Sequence, residues 1–197
     1  MKDFSLVLLL LATVAVLPAA AQDTHRQLDA HEHGHGTLNF ALEGGRLVME
    51  LEVPGADIVG FEHAAKTKTQ LEAVRTARQR LADPLQLFVL PAAADCILVK
   101  AEVEIEGGAE RAEGDKGHGS RGKSGHKHDD AGSAHSEFHA SYEISCKAPA
   151  RLTQIDFAYF KVFKAAKELD VNLITSKGQT KFEATRKTIR LSLAGLI

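Results

Sequence analysis

Histidines are the side chains of this 197-residue sequence whose types and spacing best suit chemistry. Ten are present, and nine lie in or beside three places: the stretch from His25 to His35, a polar insert, and the start of the strand that follows it. In the first place His31, His33 and His35 alternate with other residues. Alternate side chains of an extended segment point to one side, about 6 to 7 Å apart, so these imidazoles can converge on one ion. Neutral imidazole binds Zn, Cu and Ni well, with zinc the leading candidate.

The first histidine cluster could instead have no metal-binding role. A histidine-rich stretch near the start of a chain can be a solvated tail that binds nothing tightly, or a purification tag. Glu32 and Gly34 interrupt these histidines, which is not typical of a tag. We therefore favour metal binding over a tail.

The polar insert spans residues 107–135 and has no Val, Ile, Leu, Met or aromatic residue, but eight glycines and four histidines. Such a segment cannot bury enough apolar surface to order itself, so we expect a disordered, mobile loop without metal. His118, His126 and His128 could wrap an ion only by losing entropy, which predicts weaker sites.

The strand after the insert begins with His135, Glu137 and His139 at alternate positions. Alternate residues share one face of a strand, so we expect these three to be a partly preformed metal site.

His63 and its neighbour Glu62 are further candidate metal ligands, between a predicted hairpin and a predicted helix. A lone histidine there is more often a packing or capping residue than a ligand. His63 becomes a better candidate ligand if the fold brings it close to His31 and His33. A short hairpin permits this, because its two ends lie close together.

Cys96 and Cys146 are the only cysteines. We expect one disulfide, because the chain is predicted to be exported. Two thiolates of a metal site are the alternative, but no C-x-x-C pair is present.

The sequence also lacks H-E-x-x-H, G-x-S-x-G, a phosphate loop and a dinucleotide fingerprint, so we do not expect an enzyme.

The first residues predict export. A charged start precedes an apolar run from Leu6 to Leu17, which ends in Pro18 and three alanines, as in a secretory signal peptide. Twelve residues are too few for a membrane span, which needs about 20, and no later segment is longer.

With a net charge of -2 and no basic stripe, the chain is not expected to bind nucleic acid. The predicted organisation is a signal peptide (1–21), a histidine-rich segment (22–36) and one domain (37–197).

Period-2 patterns predict most of the elements. Residues 37–43 and 46–53 alternate around Gly44-Gly45 and predict a hairpin with one buried face. A capping box at Thr69-Gln70-Leu71-Glu72 and an apolar stripe of Leu71, Val74 and Leu81 predict a helix that ends at Asp83-Pro84.

Further strands are predicted at 85–90, 96–106 and 138–146, and the insert is the loop between the last two. Matching their buried faces pairs Val103 with Ala140, Val99 with Ile144 and Ile105 with Phe138. That register puts Cys146 opposite Ile97, so a bulge near Cys96 is needed to close the disulfide.

After Pro149 a short strand with one or two helical turns is predicted, followed by strands at 169–175, 180–184 and 188–193. The fold class is α+β, with mainly antiparallel sheets, one main helix, one short helix, one disulfide and the long histidine-rich hairpin loop.

Several stretches together resemble one family: residues 30–34, 60–63, 90–96, the histidine-rich insert, the strand that ends at Cys146, and 169–172 leading to Gly178-Gln179. The chain is similar to the ZrgA-like, zinc-regulated periplasmic zinc-binding proteins of Gram-negative bacteria. The resemblance implies a periplasmic protein that captures zinc and assists its uptake by supplying an ABC-type importer. It also implies His31, His33 and His63, with the insert histidines, as metal ligands.

Two other functions remain open on the sequence. A periplasmic buffer or sensor would tolerate zinc, copper or nickel and pass nothing on. A structural or partner-binding domain would carry its histidines incidentally. Stoichiometry and affinity of metal binding separate the last from the other two.

Overall fold

A computed structural model of the protein describes residues 34–107 and 135–197. The predicted signal peptide, His31, His33 and the histidines of the insert at 118, 126 and 128 lie outside these residues. The strands are β1 (His35–Glu43), β2 (Arg46–Pro54), β3 (Phe88–Val89), β4 (Cys96–Glu106), β5 (Glu137–Cys146), β6 (Gln154–Phe157), β7 (Glu168–Thr175), β8 (Gly178–Thr185) and β9 (Arg190–Ser192). The helices are α1 (Gly55–Val59), α2 (Lys68–Leu81), α3 (Pro84–Leu87) and α4 (Tyr159–Val162).

The predicted hairpin around Gly44-Gly45 is confirmed. β1 and β2 pair antiparallel from Thr37↔Glu52 to Glu43↔Arg46, and Gly44 has a φ of 58°. Glycine adopts that backbone conformation without the steric penalty that a Cβ brings. A two-residue turn therefore sets the register of the two strands.

Six strands form the main sheet, in the order β4-β5-β2-β1-β7-β8. Neighbours are antiparallel except β1 and β7, which pair in parallel from His35↔Glu168 to Leu42↔Thr175. The strands predicted at 169–175 and 180–184 are β7 and β8. The expectation of mainly antiparallel sheets is confirmed, with one parallel pairing in the middle.

The disulfide between Cys96 and Cys146 is confirmed, but its predicted register is corrected. The two cysteines lie directly opposite each other, and Leu98 rather than Val99 pairs with Ile144. The irregularity falls at Val99, whose side chain is 57% exposed. One extra residue at that point lets the cysteines pair and still turns the later apolar residues of β4 inward. The predicted pairs Val103↔Ala140 and Ile105↔Phe138 are therefore confirmed.

Helix α2 is confirmed, but its N-cap lies two residues before the predicted Thr69. Thr67 is the N-cap, and its Oγ1 accepts from the Gln70 amide at 3.2 Å, while Gln70 Oε1 accepts from the Thr67 amide at 3.1 Å. Glu72 instead pairs with Arg75 at 2.7 Å. Leu71, predicted in the core, is 46% exposed.

The strand predicted at 85–90 is mostly wrong. Pro84 occupies the first turn of α3, and only Phe88 and Val89 are extended. A proline at this position favours a helix start. The described residues also hold four helices rather than two: α2 has 14 residues, and the other three have four or five.

A second sheet of three strands, in the order β3-β6-β9, covers the main sheet together with the helices. The ring centroids of Phe40 and Phe88 are 6.3 Å apart, and those of Phe88 and Phe157 are 6.0 Å apart, both edge to face. The Phe40–Phe88 contact joins the two sheets, and the residues of both belong to one hydrophobic core. The predicted strand 188–193 corresponds to β9, which pairs with β6 and not with β8.

The other face of the main sheet is polar. One row across all six strands runs through Glu104, His139, Glu52, Thr37, Asp170 and Glu183. It contains four carboxylates and no lysine or arginine. The solvent face of the sheet therefore carries a strong negative charge near the start of β1.

Candidate functional site

The described histidines lie at one end of the main sheet, which we call the histidine end. β1, β5 and β7 begin there, at His35, Glu137 and Glu168, while β2 and β4 end there. Gly34, Gly107 and His135 therefore lie at this end of the sheet. Because β1 and β5 flank β2, their starts are about 10 Å apart, or two strand spacings.

Gly34 fixes the chain where it enters the sheet. Its amide donates to Oδ1 of Asp57, a buried residue of α1, at 2.8 Å. Its carbonyl accepts from the amides of Lys167 and Glu168 at 2.9 and 2.8 Å. Gly34 has a φ of 98°, and a Cβ there would come within 2.7 Å of the Lys167 side chain. A glycine is thus needed directly after His33 in the sequence.

His35, the first residue of β1, lies beside its parallel partner Glu168. The Nδ1 and Oε1 atoms are 3.6 Å apart, and the histidine side chain is 41% exposed. This is an ion pair only when the imidazole is protonated.

Glu62 and His135 form the shortest contact between acid and imidazole at this end, with Oε2 and Nδ1 2.5 Å apart. The Glu62 side chain is 11% exposed and the His135 side chain 57%. The backbone holds them in place, since the Ser136 amide donates to the Glu62 carbonyl at 2.8 Å and the Gly55 amide donates to the Ser136 carbonyl at 2.7 Å. Backbone hydrogen bonds therefore join the loop between α1 and α2 to the residues that precede β5.

His63 lies next to this pair. Its ring stacks on Phe61 with centroids 4.9 Å apart, and its Nδ1 is 3.0 Å from the Ala64 carbonyl oxygen. Together with Ser136, it lines a small cavity of about 20 Å³. The fold therefore brings His63 and the segment at His135 together, although they are far apart in sequence.

His139 projects from the outer face of β5. Its Nε2 is 3.2 Å from Oε2 of Glu137 and 3.7 Å from Oε2 of Glu106. The predicted set of His135, Glu137 and His139 is thus divided: Glu137 and His139 lie on one strand face, whereas His135 precedes the strand and contacts Glu62.

Within residues 34–107 and 135–197, no three His, Cys, Asp or Glu side chains are arranged to hold a metal ion. Among the described residues that the sequence singled out, Glu62 contacts His135 and Glu137 contacts His139. Two residues that sequence reasoning missed are Asp57 and Glu106. A single carboxylate in the apolar stretch 53–59 was the signal for Asp57, and the outward alternation of β4 was the signal for Glu106.

In the described part of the chain, no helix has the length and apolarity that a membrane crossing requires.

The described residues thus form a largely β fold with imidazole and carboxylate groups gathered at one end of the main sheet. Residues 30–193 match the family described as ZrgA family zinc uptake protein. The match covers most of the chain, so the protein belongs to this family. The family description refers to zinc uptake and names no catalytic activity. No curated protein matches the sequence at a significant level.

Proposed function

We propose that this protein captures zinc in the periplasm and assists its uptake by supplying an ABC-type importer. The family concerns zinc uptake, while the capture site, the compartment and the importer are parts of this proposal. Two histidines carry the capture site: His63, which follows Glu62 in the sequence, and His135, which contacts the Glu62 side chain, each with Nδ1 near an oxygen acceptor.

The acceptors determine which ring nitrogen can bind metal. A carbonyl oxygen can only accept, so Nδ1 of His63 carries the proton that it donates to Ala64. The ionised carboxylate of Glu62 likewise accepts from Nδ1 of His135. In the neutral form of each ring, Nε2 then holds the lone pair. Histidines that bind metals commonly donate their other nitrogen to a carboxylate or a carbonyl in this way.

The remaining ligands come from the residues before Gly34. A zinc site takes four ligands, and His63 and His135 supply two. His31 and His33 are three residues and one residue from Gly34, whose backbone is anchored to Asp57 and β7. The distance of about 10 Å between the starts of β1 and β5 is within reach of two histidine side chains and a few residues of chain. We therefore assign His31, His33, His63 and His135 to the tight site.

Glu62 has a supporting role in this proposal. It was a candidate ligand in the sequence, but its carboxylate holds His135 and is only 11% exposed. A carboxylate in that position orients the imidazole and makes it a stronger ligand.

The negative sheet face favours capture. Glu52, Glu104 and Asp170 lie on the solvent face within a few residues of the histidine end. Fields of this kind raise the local concentration of cations and their association rate. His118, His126 and His128 of the insert, with His35 and His139, would bind further ions less tightly.

The test is a calorimetric zinc titration of the protein from Gln22 onward. His63→Ala/His135→Ala should lose the tightest site, with affinity at least 100-fold lower. The matched control is His139→Ala, because Nε2 of that ring already faces Glu106 and Glu137. A protein without residues 108–134 should keep the tight site and bind fewer ions in total. Equal affinity in all four proteins would overturn the proposal.

Copper and nickel titrations separate capture of zinc from general buffering, since imidazole alone does not select among these ions. Delivery to an importer needs a cellular test. Cells that produce His63→Ala/His135→Ala should grow more slowly than wild-type cells in zinc-poor medium and equally well when zinc is added. Equal growth in both media would indicate buffering without delivery.

A further inference from the structure

A groove runs along helix α2 from the histidine end to a group of cations. Three cavities share lining residues: the small cavity at His63 shares Val59 with a cavity of about 390 Å³, which shares Thr76 and Arg80 with a third of about 880 Å³. We call the two larger cavities together the α2 groove. Ile58, Ala77 and Phe163 form an apolar wall in its middle, beside Thr69, Thr76 and Glu72. Glu72 is already paired with Arg75.

The far end of the α2 groove is cationic. Arg80, Lys161 and Lys164 line it with a single carboxylate, Asp83, and none of the three cations forms an ion pair with another described residue. Lys161 also acts through space on Asp156, whose carboxylate is engaged by Arg190. Three cations and one carboxylate around an open cavity leave a net positive charge, which favours a ligand with several negative charges.

The opposite side of the molecule has the opposite sign. The helices cover the inner face of the main sheet, while its outer face carries the row of Glu104, Glu52, Asp170 and Glu183. A negatively charged partner is repelled by that face and attracted to the α2 groove. The charge distribution therefore determines which face of this protein the partner binds and which charge the partner carries.

The dimensions suit an extended peptide. From Thr69 to Asp83 the helix and its end rise by about 21 Å, at 1.5 Å per residue. An extended chain covers that length with about six or seven residues. The apolar middle would take alternate apolar side chains, and the cationic end would take carboxylates.

We infer that the α2 groove is the docking site for an acidic, partly apolar segment of a partner protein, bound beside the metal-binding histidines. The inference rests on the proposed function, because it gives the partner that receives the metal a place next to His63. Val59, which lines both the groove and the cavity at His63, and charge complementarity at Arg80, Lys161 and Lys164 carry it.

The probe is a fluorescein-labelled octapeptide of five glutamates and three leucines, titrated with the zinc-loaded protein and followed by fluorescence anisotropy. Lys161→Glu/Lys164→Glu should weaken binding at least 10-fold. The control is Lys177→Glu/Lys181→Glu, which makes the same charge change on β8 and its turn and should bind like wild type. A peptide with lysines in place of the glutamates should not lose affinity for Lys161→Glu/Lys164→Glu, because the acidic sheet face that attracts it lies away from these two lysines.

Failure of the octapeptide to bind wild type, or equal weakening by both pairs of substitutions, overturns the docking site. Zinc calorimetry distinguishes a failure of the docking site from a failure of the proposed zinc site. Lys161→Glu/Lys164→Glu should titrate with zinc like wild type, so a loss of peptide binding alone concerns the groove. A loss of zinc binding in His63→Ala/His135→Ala concerns only the metal site.

Discussion

Nδ1 of His135 lies 2.5 Å from Oε2 of Glu62, a residue 73 positions earlier in the chain. The contact joins the last residue of the insert to the loop between α1 and α2. It is reinforced by the hydrogen bond from the Ser136 amide to the Glu62 carbonyl. The orientation of the His135 ring is therefore set by a residue on a different part of the chain.

Glu62→Gln should weaken the tightest zinc site by about 10-fold, because loss of a carboxylate that supports a ligand typically costs 10 to 100-fold in affinity. A competition titration against a zinc chelator measures the change. Glu102→Gln, an exposed carboxylate of β4, is the control and should bind zinc like wild type. If both variants match wild type, Glu62 has no part in metal binding.

Asp57→Ala should lower both stability and zinc affinity. It leaves the Gly34 amide without its acceptor, which costs about 1 to 3 kcal/mol in a buried setting. It also loosens the chain next to His33. Urea unfolding and zinc titration measure the two effects, and Asp57→Asn is the control because an amide oxygen can still accept. An Asp57→Ala protein with wild-type zinc affinity would show that this anchor does not position the histidines.

Tyr142→Phe should raise the free energy of unfolding by about 1 kcal/mol. The Tyr142 hydroxyl is buried and has no hydrogen-bond partner among the described residues. Removing such a group relieves a desolvation cost. Urea unfolding at pH 7 measures the change, and a clear loss of stability would indicate that the hydroxyl has a partner in solution.

Alkaline pH should destabilise the wild type. Burial raises the pKa of the Tyr142 and Tyr159 phenols well above 10. Their contribution to stability is fully present below the unfolded pKa near 10, and it is lost as pH rises above that value, because only the unfolded chain ionises there. Tyr142→Phe should lose less stability between pH 9 and pH 11. Parallel pH curves for the two proteins would contradict this account.

Cys96→Ala/Cys146→Ala should lower the free energy of unfolding by about 2 to 4 kcal/mol, since the bridge joins residues 50 apart. Zinc affinity should change little, because the cysteines lie at the end of β4 and β5 that is far from the histidines. Urea unfolding and calorimetry of the same protein measure both quantities. A parallel fall in zinc affinity would mean that the hairpin shapes the metal site.

Most of the main sheet could be predicted from the sequence because one face is buried. Phe40, Met49 and Tyr142 alternate with polar residues, and a period of two leaves one register that buries them all. The long helix was also predictable, since Val74 and Leu81 lie on one stripe that α2 buries. Patterns that repeat over many residues outweigh local ambiguities.

The wrong predictions concern features that one or two residues decide locally. Thr67 and Thr69 can both cap a helix, and Gln70 decides for Thr67 by bonding its amide. The bulge at Val99 and the short helix at Pro84 each depend on one residue, which periodicity does not detect. The contact of Glu62 with His135 depends on the pairing of β2 with β5, which are not consecutive strands. No spacing within a single segment reports it.

The disulfide lies at the closed base of the β4–β5 hairpin, and the insert joins the two strands at the opposite end. A covalent bond at the base keeps both strands in register whatever the tip contains. Lengthening a flexible loop adds little entropic cost, about 0.6 kcal/mol for each doubling. The number of histidines in the insert can therefore change over evolutionary time, or by engineering, while the sheet and its core stay the same.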